Sequence, residues 1–305
     1  MKTAIMFSGQ GAQKVGMGKE FFDNFEVCRQ VFEEADDTLG FSVQKLCFEP
    51  GELLNQTAYA QPAILTASIA AYRYLECQGV APDVLMGLSL GEYSALVADG
   101  AIGFAEAVAL VHKRGQLMAE FAKPGGMIAA IGLTKQILEE ICEAAKPAGF
   151  AACANFNTPE QIAIAGEQAA LDACAAAIKQ AGGKVMPLKV SGPFHTLLLS
   201  EAAERFREYL TTISINSVKS TIISNLTALP INANDDVRDH LARHMVSPVR
   251  WVESVQHAIS LGCGTFIEVG CGKTLVNFVK KIDESVDAFA TESIADLKAR
   301  GFCND

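Results

Sequence analysis

A short apolar run, Val84-Leu85-Met86, passes through Gly87-Leu88-Ser89-Leu90-Gly91 into a helix-like segment, residues 92–99. Few features constrain a fold as tightly. A strand that turns at once into a helix belongs to a β–α unit of a parallel sheet. In such a turn the small glycines let the backbone fold sharply and push the serine hydroxyl outward, while the first amides of the helix face the same point. Ser89 is therefore the candidate nucleophile. The competing reading is a chance match in a glycine-rich chain, since the pattern fixes only three positions.

The same rhythm recurs on both sides. Residues 3–7 read as a buried strand, followed by the turn Gly9-Gln10-Gly11-Ala12-Gln13 and amphipathic helical sequence over 19–39. Gln61-Pro62 opens an apolar helix over 63–75, and another helix spans 104–121. Lys123-Pro124-Gly125-Gly126 then breaks the alternation. Beyond it lie strand 127–132, helix 135–145, strands 150–155 and 161–165 joined by Asn157-Thr158-Pro159, helix 169–180 and strand 184–190. That order is ferredoxin-like. The first pattern resumes with a helix over 200–212, a strand over 221–224, a helix over 252–261 and a strand over 265–269. The expectation is an α/β chain: a parallel-sheet core from residues 1–123 and 191–305, with a ferredoxin-like α+β subdomain, 124–190, inserted into it.

Composition narrows the function classes. At 305 residues, half of them apolar and a fifth charged, the chain can bury a large core. Its net charge of −10 argues against a nucleic-acid binder, which needs a basic surface. No stretch reaches the length of a membrane span, and four apolar residues after Met1-Lys2-Thr3 are too few for a signal peptide. Nine cysteines, from Cys28 to Cys303 without a Cys-x-x-Cys pair, read as small buried hydrophobes of a reduced, cytoplasmic protein.

A serine nucleophile needs a base, and five histidines are available. His112 and His257 fall within helical segments and read as structural. His240 and His244 lie four apart on a helix, where a solvated face is the expectation over a zinc site, because no third ligand accompanies them. His195 follows the loop Ser191-Gly192-Pro193-Phe194 at the end of a strand, well placed to reach the carboxyl edge of a parallel sheet. It is the base candidate, against a capping or packing role. Arg114 reads either as an ordinary charged helix residue or, if it faces inward, as a clamp for a substrate carboxylate. Gly270-Cys271-Gly272-Lys273-Thr274 imitates the end of a phosphate-binding loop, but Ile267 stands where the first glycine is required, so it reads as a tight turn.

Taken together, these segments resemble the malonyl-CoA:acyl carrier protein transacylases of type II fatty acid synthesis. The resemblance rests on Phe7-Ser8-Gly9-Gln10-Gly11-Ala12-Gln13, Thr57-Ala58-Tyr59-Ala60-Gln61-Pro62, Gly87 to Tyr93, Arg114-Gly115 and Ala154-Asn155-Phe156-Asn157. It continues through Gly192-Pro193-Phe194-His195, Ser247-Pro248-Val249-Arg250-Trp251 and Glu268-Val269-Gly270. It implies an α/β hydrolase-like core with a ferredoxin-like insert. It also implies a malonyl-serine ester on Ser89, with His195 as base, backbone amides of Gln10 and Leu90 as the oxyanion hole, and Arg114 on the malonyl carboxylate. A backbone carbonyl, expected from Arg250, would orient His195. Gln61, Met118 and Asn155 would line the pocket, and Phe194 would exclude a branched acyl group.

The implied partners are a coenzyme A thioester and acyl carrier protein, with no resident cofactor or metal and a monomeric state. Departures from the family pattern are Leu88 for a common histidine, Arg250 for glutamine, Cys271 for proline and Thr196 for serine. Three alternatives stay open: a thioesterase or carboxylesterase on a related core, a non-catalytic scaffold, and a stand-alone loading enzyme of a polyketide-type synthase. Carrier docking would fall on Lys113, Lys179, Lys184 and Lys189, or these are scattered solvated lysines.

Overall fold

The computed structural model describes residues 1–302; Cys303 lies outside the described residues. Strand β1 (Lys2–Phe7) leads into helices α1 (Lys19–Asn24), α2 (Glu26–Leu39), α3 (Val43–Phe48) and the long α4 (Thr57–Cys77). Strand β2 (Val84–Gly87), α5 (Gly91–Asp99) and α6 (Phe104–Glu120) complete the first stretch. Then come β3 (Gly126–Ile131), α7 (Lys135–Ala144), β4 (Ala151–Thr158), β5 (Gln161–Gly166), α8 (Gln168–Gln180) and β6 (Lys184–Pro187). The chain finishes with α9 (Ser200–Leu210), β7 (Thr221–Ile222), α10 (Val237–His244), α11 (Trp251–Ser260), β8 (Cys263–Val269), α12 (Thr274–Ile282), β9 (Asp287–Ala290) and α13 (Ile294–Ala299).

Two separate sheets result. The larger is parallel throughout, in the order β7-β2-β1-β8-β9. The smaller is antiparallel, β4-β5-β3-β6, the strand order of a ferredoxin-like unit. The fold is thus α/β with a second, smaller α+β layer. Strand period 2 explains why the large sheet is covered twice. Ile5 and Phe7 of β1 pack into one core with Leu85 and helices α4 to α6, while Ala4 and Met6 face a second core around Trp251 and Phe266. The small sheet has its own core, with Ile128, Ile162 and Ile164 meeting Leu138, Cys174 and Ile178 of α7 and α8. Of the eight described cysteines, all but Cys77 are buried.

Several boundaries differ from the sequence expectation, each for a local reason. Helical sequence 19–39 is broken at Phe25, which is extended; the Asn24 side chain donates to the Glu20 carbonyl and ends α1 there. The apolar helix begins at Thr57 and not after Pro62, which sits inside it. A proline leaves the carbonyl four residues earlier without its helical partner; here that carbonyl, Ala58, lies 2.7 Å from His112 Nδ1, which donates to it. Strand β6 ends at Pro187, one residue before the last bond to β3, from Leu188 N–H to the Met127 carbonyl; the chain then turns away, with the Val190 N–H donating back to the Leu188 carbonyl.

Candidate active site

Strand β2 ends at Gly87 and α5 begins at Gly91, so three residues make the whole turn. A side chain at Gly87 would land on the backbone of Gly91, and one at Gly91 on the carbonyl of Phe7 in the adjacent strand. Only glycine lets the turn close so tightly. Ser89 is held at φ 51, in the left-handed region. For a residue with a side chain that conformation costs about 1–2 kcal/mol. The strain aims the hydroxyl out of the turn, and Ser89 Oγ lies 2.7 Å from His195 Nε2.

His195 also has a positive φ, 60, and is 5% exposed. Its Nδ1 lies 3.1 Å from the carbonyl oxygen of His244, at the end of α10. Nδ1–H donates there, which leaves the Nε2 lone pair facing Ser89. Burial, and then the positive charge of Arg114, push His195 down to about 4. The imidazole is neutral at neutral pH, the state a base requires.

Helix α6 turns Arg114 inward, where it is 2% exposed. Nη1 donates to Gln61 Oε1 at 2.9 Å and Nη2 to Ser89 Oγ at 3.3 Å, while the guanidinium lies over the Tyr93 ring. Among the described residues it has no carboxylate partner, and its Nε has no hydrogen-bond partner. Burial lowers its pKa, with Tyr93 and Glu92 acting in the opposite sense. Keeping an unpaired cation out of water is expensive. A fold that does so is prepared for an anion.

The amides of Gln10, in the turn after β1, and Leu90, just before α5, donate to no acceptor among the described residues. Ser89, His195, Arg114 and Gln10 border a cavity of about 260 Å³ between the carboxyl end of the parallel sheet and the small sheet. Met118, Asn155 and Phe194 also line it.

Other expectations need correction. Arg250 does not orient His195: its carbonyl accepts from Ser254 at the start of α11, and the His244 carbonyl takes the orienting place. Gln61 is not on the cavity wall; its amide is turned to Gln10, Met118 Sδ and Arg114, and so backs the guanidinium. His240 and His244 are not a solvated face. Both are buried, because His240 Nε2 meets the buried Glu92 carboxylate at 2.5 Å and His244 packs its ring 5.1 Å from that of His195. His257 lies on α11, away from the cavity.

Sequence reasoning missed several groups. Asn157 and Gln161 line the cavity from the small sheet, and Asn157 Oδ1 is buried without a partner. Glu268, at the end of β8, accepts from Val276 N–H at 2.9 Å and from Ser8 Oγ at 3.4 Å, and burial raises it to about 7. An acid inside the apolar strand Phe266-Ile267-Glu268-Val269 was the available signal. Asn225 bonds both sides of the serine turn and carries no motif at all.

Chemically, such a site can take an acyl group onto a serine oxygen and hold an anionic substituent beside it. Comparison with known proteins agrees. Residues 5–301 match the acyl transferase domain family, and the chain belongs to that family. It is 40% identical over 294 residues to the malonyl CoA-acyl carrier protein transacylase of Bacillus subtilis (strain 168), covering 95% of this chain and 93% of that one. The crystal structure of the malonyl CoA-acyl carrier protein transacylase from Clostridium perfringens superposes with a TM-score of 0.95 at 42% identity, over 98% of this chain and 96% of that one. A malonyl-transacylase solved in complex with its type II polyketide acyl-carrier protein superposes with a TM-score of 0.95 at 36% identity, over 98% of both chains. No described helix is long and apolar enough to cross a membrane.

Proposed function

We propose that this chain transfers the malonyl group of malonyl-CoA to the phosphopantetheine thiol of an acyl carrier protein, through a malonyl ester on Ser89, for fatty acid synthesis. The observation that carries the reading is the buried Arg114 guanidinium, without a carboxylate partner among the described residues and 3.3 Å from Ser89 Oγ. An esterase for neutral acyl groups has no use for it. In the first half-reaction Ser89 Oγ attacks the thioester carbonyl as His195 Nε2 takes its proton. The oxyanion of the tetrahedral intermediate faces the amides of Gln10 and Leu90, a type of contact worth about 3 kcal/mol per donor. The C–S bond breaks, and His195 returns the proton to the departing coenzyme A sulfur.

The carrier thiol then gives its proton to His195 and attacks the ester. The C–O bond breaks, and Ser89 Oγ recovers its proton. Arg114 holds the free carboxylate throughout, and Phe194 narrows the acyl end of the cavity. Residues 124–190 act as an inserted subdomain that supplies part of the cavity wall through Asn155, Asn157 and Gln161.

The same reading takes the protein as a cytoplasmic monomer with no resident cofactor, and places the acidic carrier on a local basic patch. Lys179, Lys184 and Lys189 are exposed near the edge strand β6, and Lys113 is half-buried. Mass spectrometry after brief exposure to malonyl-CoA tests the reading. A malonyl adduct on the Ser89 peptide, discharged by holo carrier protein to malonyl-carrier, is expected. Free malonate as the main product with carrier present makes the protein a thioesterase, and intact protein without adduct makes it a scaffold.

A further inference from the structure

The left-handed backbone at Ser89 needs something to hold it, and the glycines on either side only permit it. What holds it comes from elsewhere in the chain. The side-chain amide of Asn225, just beyond β7, accepts the Ser89 N–H on Oδ1 at 2.7 Å and donates from Nδ2 to the Gly87 carbonyl at 2.7 Å. One planar group therefore ties the turn on both sides of Leu88. Asn225 is itself fixed: its N–H donates to Glu92 Oε2 at 2.7 Å and its carbonyl accepts the Arg250 N–H at 3.0 Å. Glu92, fully buried in the first turn of α5, places its other oxygen 2.5 Å from His240 Nε2.

We infer that Asn225 is a positioning residue for the acyl-transfer reaction, its amide holding Ser89 in the conformation that aims Oγ at His195, with the buried Glu92–His240 pair holding Asn225. The inference rests on Ser89 being the nucleophile. It explains why an amide stands here and not a carboxylate. The Ser89 N–H needs an acceptor and the Gly87 carbonyl needs a donor, and only a group with both, side by side, meets the two demands. An ionised carboxylate would satisfy Ser89 and repel Gly87. A protonated one would again satisfy both.

That difference supplies a test that mere packing would not pass. Single-turnover malonylation of Ser89 is followed by quenched-flow mass spectrometry for wild type, Asn225→Ala and Asn225→Asp between pH 6 and 8. Loss of the clamp lets Oγ drift, and misplacement of a reacting atom by about 1 Å costs on the order of 10²-fold. Asn225→Ala is expected to slow acylation roughly 10- to 100-fold, with the half-saturating malonyl-CoA concentration within about twofold of wild type. Asn225→Asp is expected to regain rate as pH falls, because burial raises the introduced carboxyl into the tested range. The titratable and charged groups around that position are Glu92 on α5, His240 on α10, Arg250 before α11 and, across Ser89, His195 and Arg114. Wild type and Asn225→Ala share all of them, so their pH profiles are the control.

Wild-type acylation rates in Asn225→Ala, or a pH profile of Asn225→Asp parallel to wild type, overturn the inference while labelled wild-type Ser89 keeps the broader reading. Absence of label on wild-type Ser89 removes both. If Asn225→Ala does not fold, the slope of the Asn225→Asp profile decides alone.

Discussion

Replacing Arg114 separates a carboxylate clamp from a structural arginine. The guanidinium is 2% exposed, gives one hydrogen bond to Gln61 and one to Ser89 Oγ, and has no anion of its own among the described residues. A malonyl carboxylate arriving there would complete a buried charge pair, and deleting one partner of such a pair costs about 3–5 kcal/mol. Arg114→Ala and the bulkier Arg114→Met are therefore expected to lower kcat/KM for malonyl-CoA by about two to three and a half orders of magnitude. Acetyl-CoA carries no carboxylate and has no need of the cation, so its kcat/KM stays level or rises.

Folding gives the second half of the argument. The lost bond to Gln61 costs about 1 kcal/mol, and release from the burden of a buried unpaired charge offsets it, so Arg114→Met melts within a few degrees of wild type. The assay is coenzyme A thiol release with carrier protein as acceptor, run on both thioesters. A malonyl-to-acetyl ratio that changes by less than about threefold, in a protein that melts normally, refutes the clamp.

Two pH predictions rest on buried groups of opposite sign. His195 is depressed from 6.5 to about 4, so its contribution to stability is present above pH 6.5 and is lost as pH falls through 4, amounting to about 3 kcal/mol. His195→Gln should lose less stability than wild type in denaturant melts between pH 7 and 4, and equal losses would refute the assignment. Wild-type acylation stays level in pH on His195's account from 6 to 8 and falls only toward 4, as the base becomes protonated. Glu268 is raised from 4.5 to about 7, so its contribution is full below pH 4.5 and is lost as pH rises through 7. Glu268→Gln is accordingly expected to be more stable than wild type at pH 8 by up to about 3 kcal/mol and no more stable at pH 4.5. A constant difference across that range contradicts the shift.

What the sequence disclosed and what it hid divide along a physical line. The serine turn, the strand-end histidine and the order of the inserted unit announce themselves through spacing, because glycine, proline and apolar periodicity act within a few residues. Whether Arg114 faced inward was not readable from α6 alone; Val108, Val111 and Leu117 surround it without deciding its direction. The Asn225 clamp was invisible for a stronger reason: its partners lie 136 and 138 positions away. The orienting carbonyl of His244 is a backbone atom, which every residue owns, and so has no signature in side-chain identity. A solvated face is the sequence expectation for His240 only because no third metal ligand accompanies it and His244. The true partner of His240, Glu92, comes just after the serine turn and was read only as the start of a helix. Short strands such as β7 and β9 are shaped by the sheet they join, since two to four residues carry too little pattern of their own.

The two residues that would react, Ser89 and His195, are among only three described non-glycine residues with positive φ. Each such conformation persists only where its surroundings over-determine it, at a cost of about 1–3 kcal/mol. The restraints come from different parts of the chain. Ser89 is fixed by glycine contacts with β1 and by Asn225 after β7; His195 is fixed by the His244 carbonyl at the end of α10. Arg114, from α6, and Gln61, from α4, then reach the serine through a further pair of bonds. The inserted sheet contributes Asn155, Asn157 and Gln161 to the same cavity but touches neither strained residue through a hydrogen bond. The parallel-sheet core can therefore hold the reacting atoms in register while the small sheet is free to vary what the cavity admits. The strain and the Arg114 clamp both belong to the core, and the inserted sheet adds only further cavity wall, so a change at Asn155, Asn157 or Gln161 should alter which thioester is used before it alters how the serine is presented.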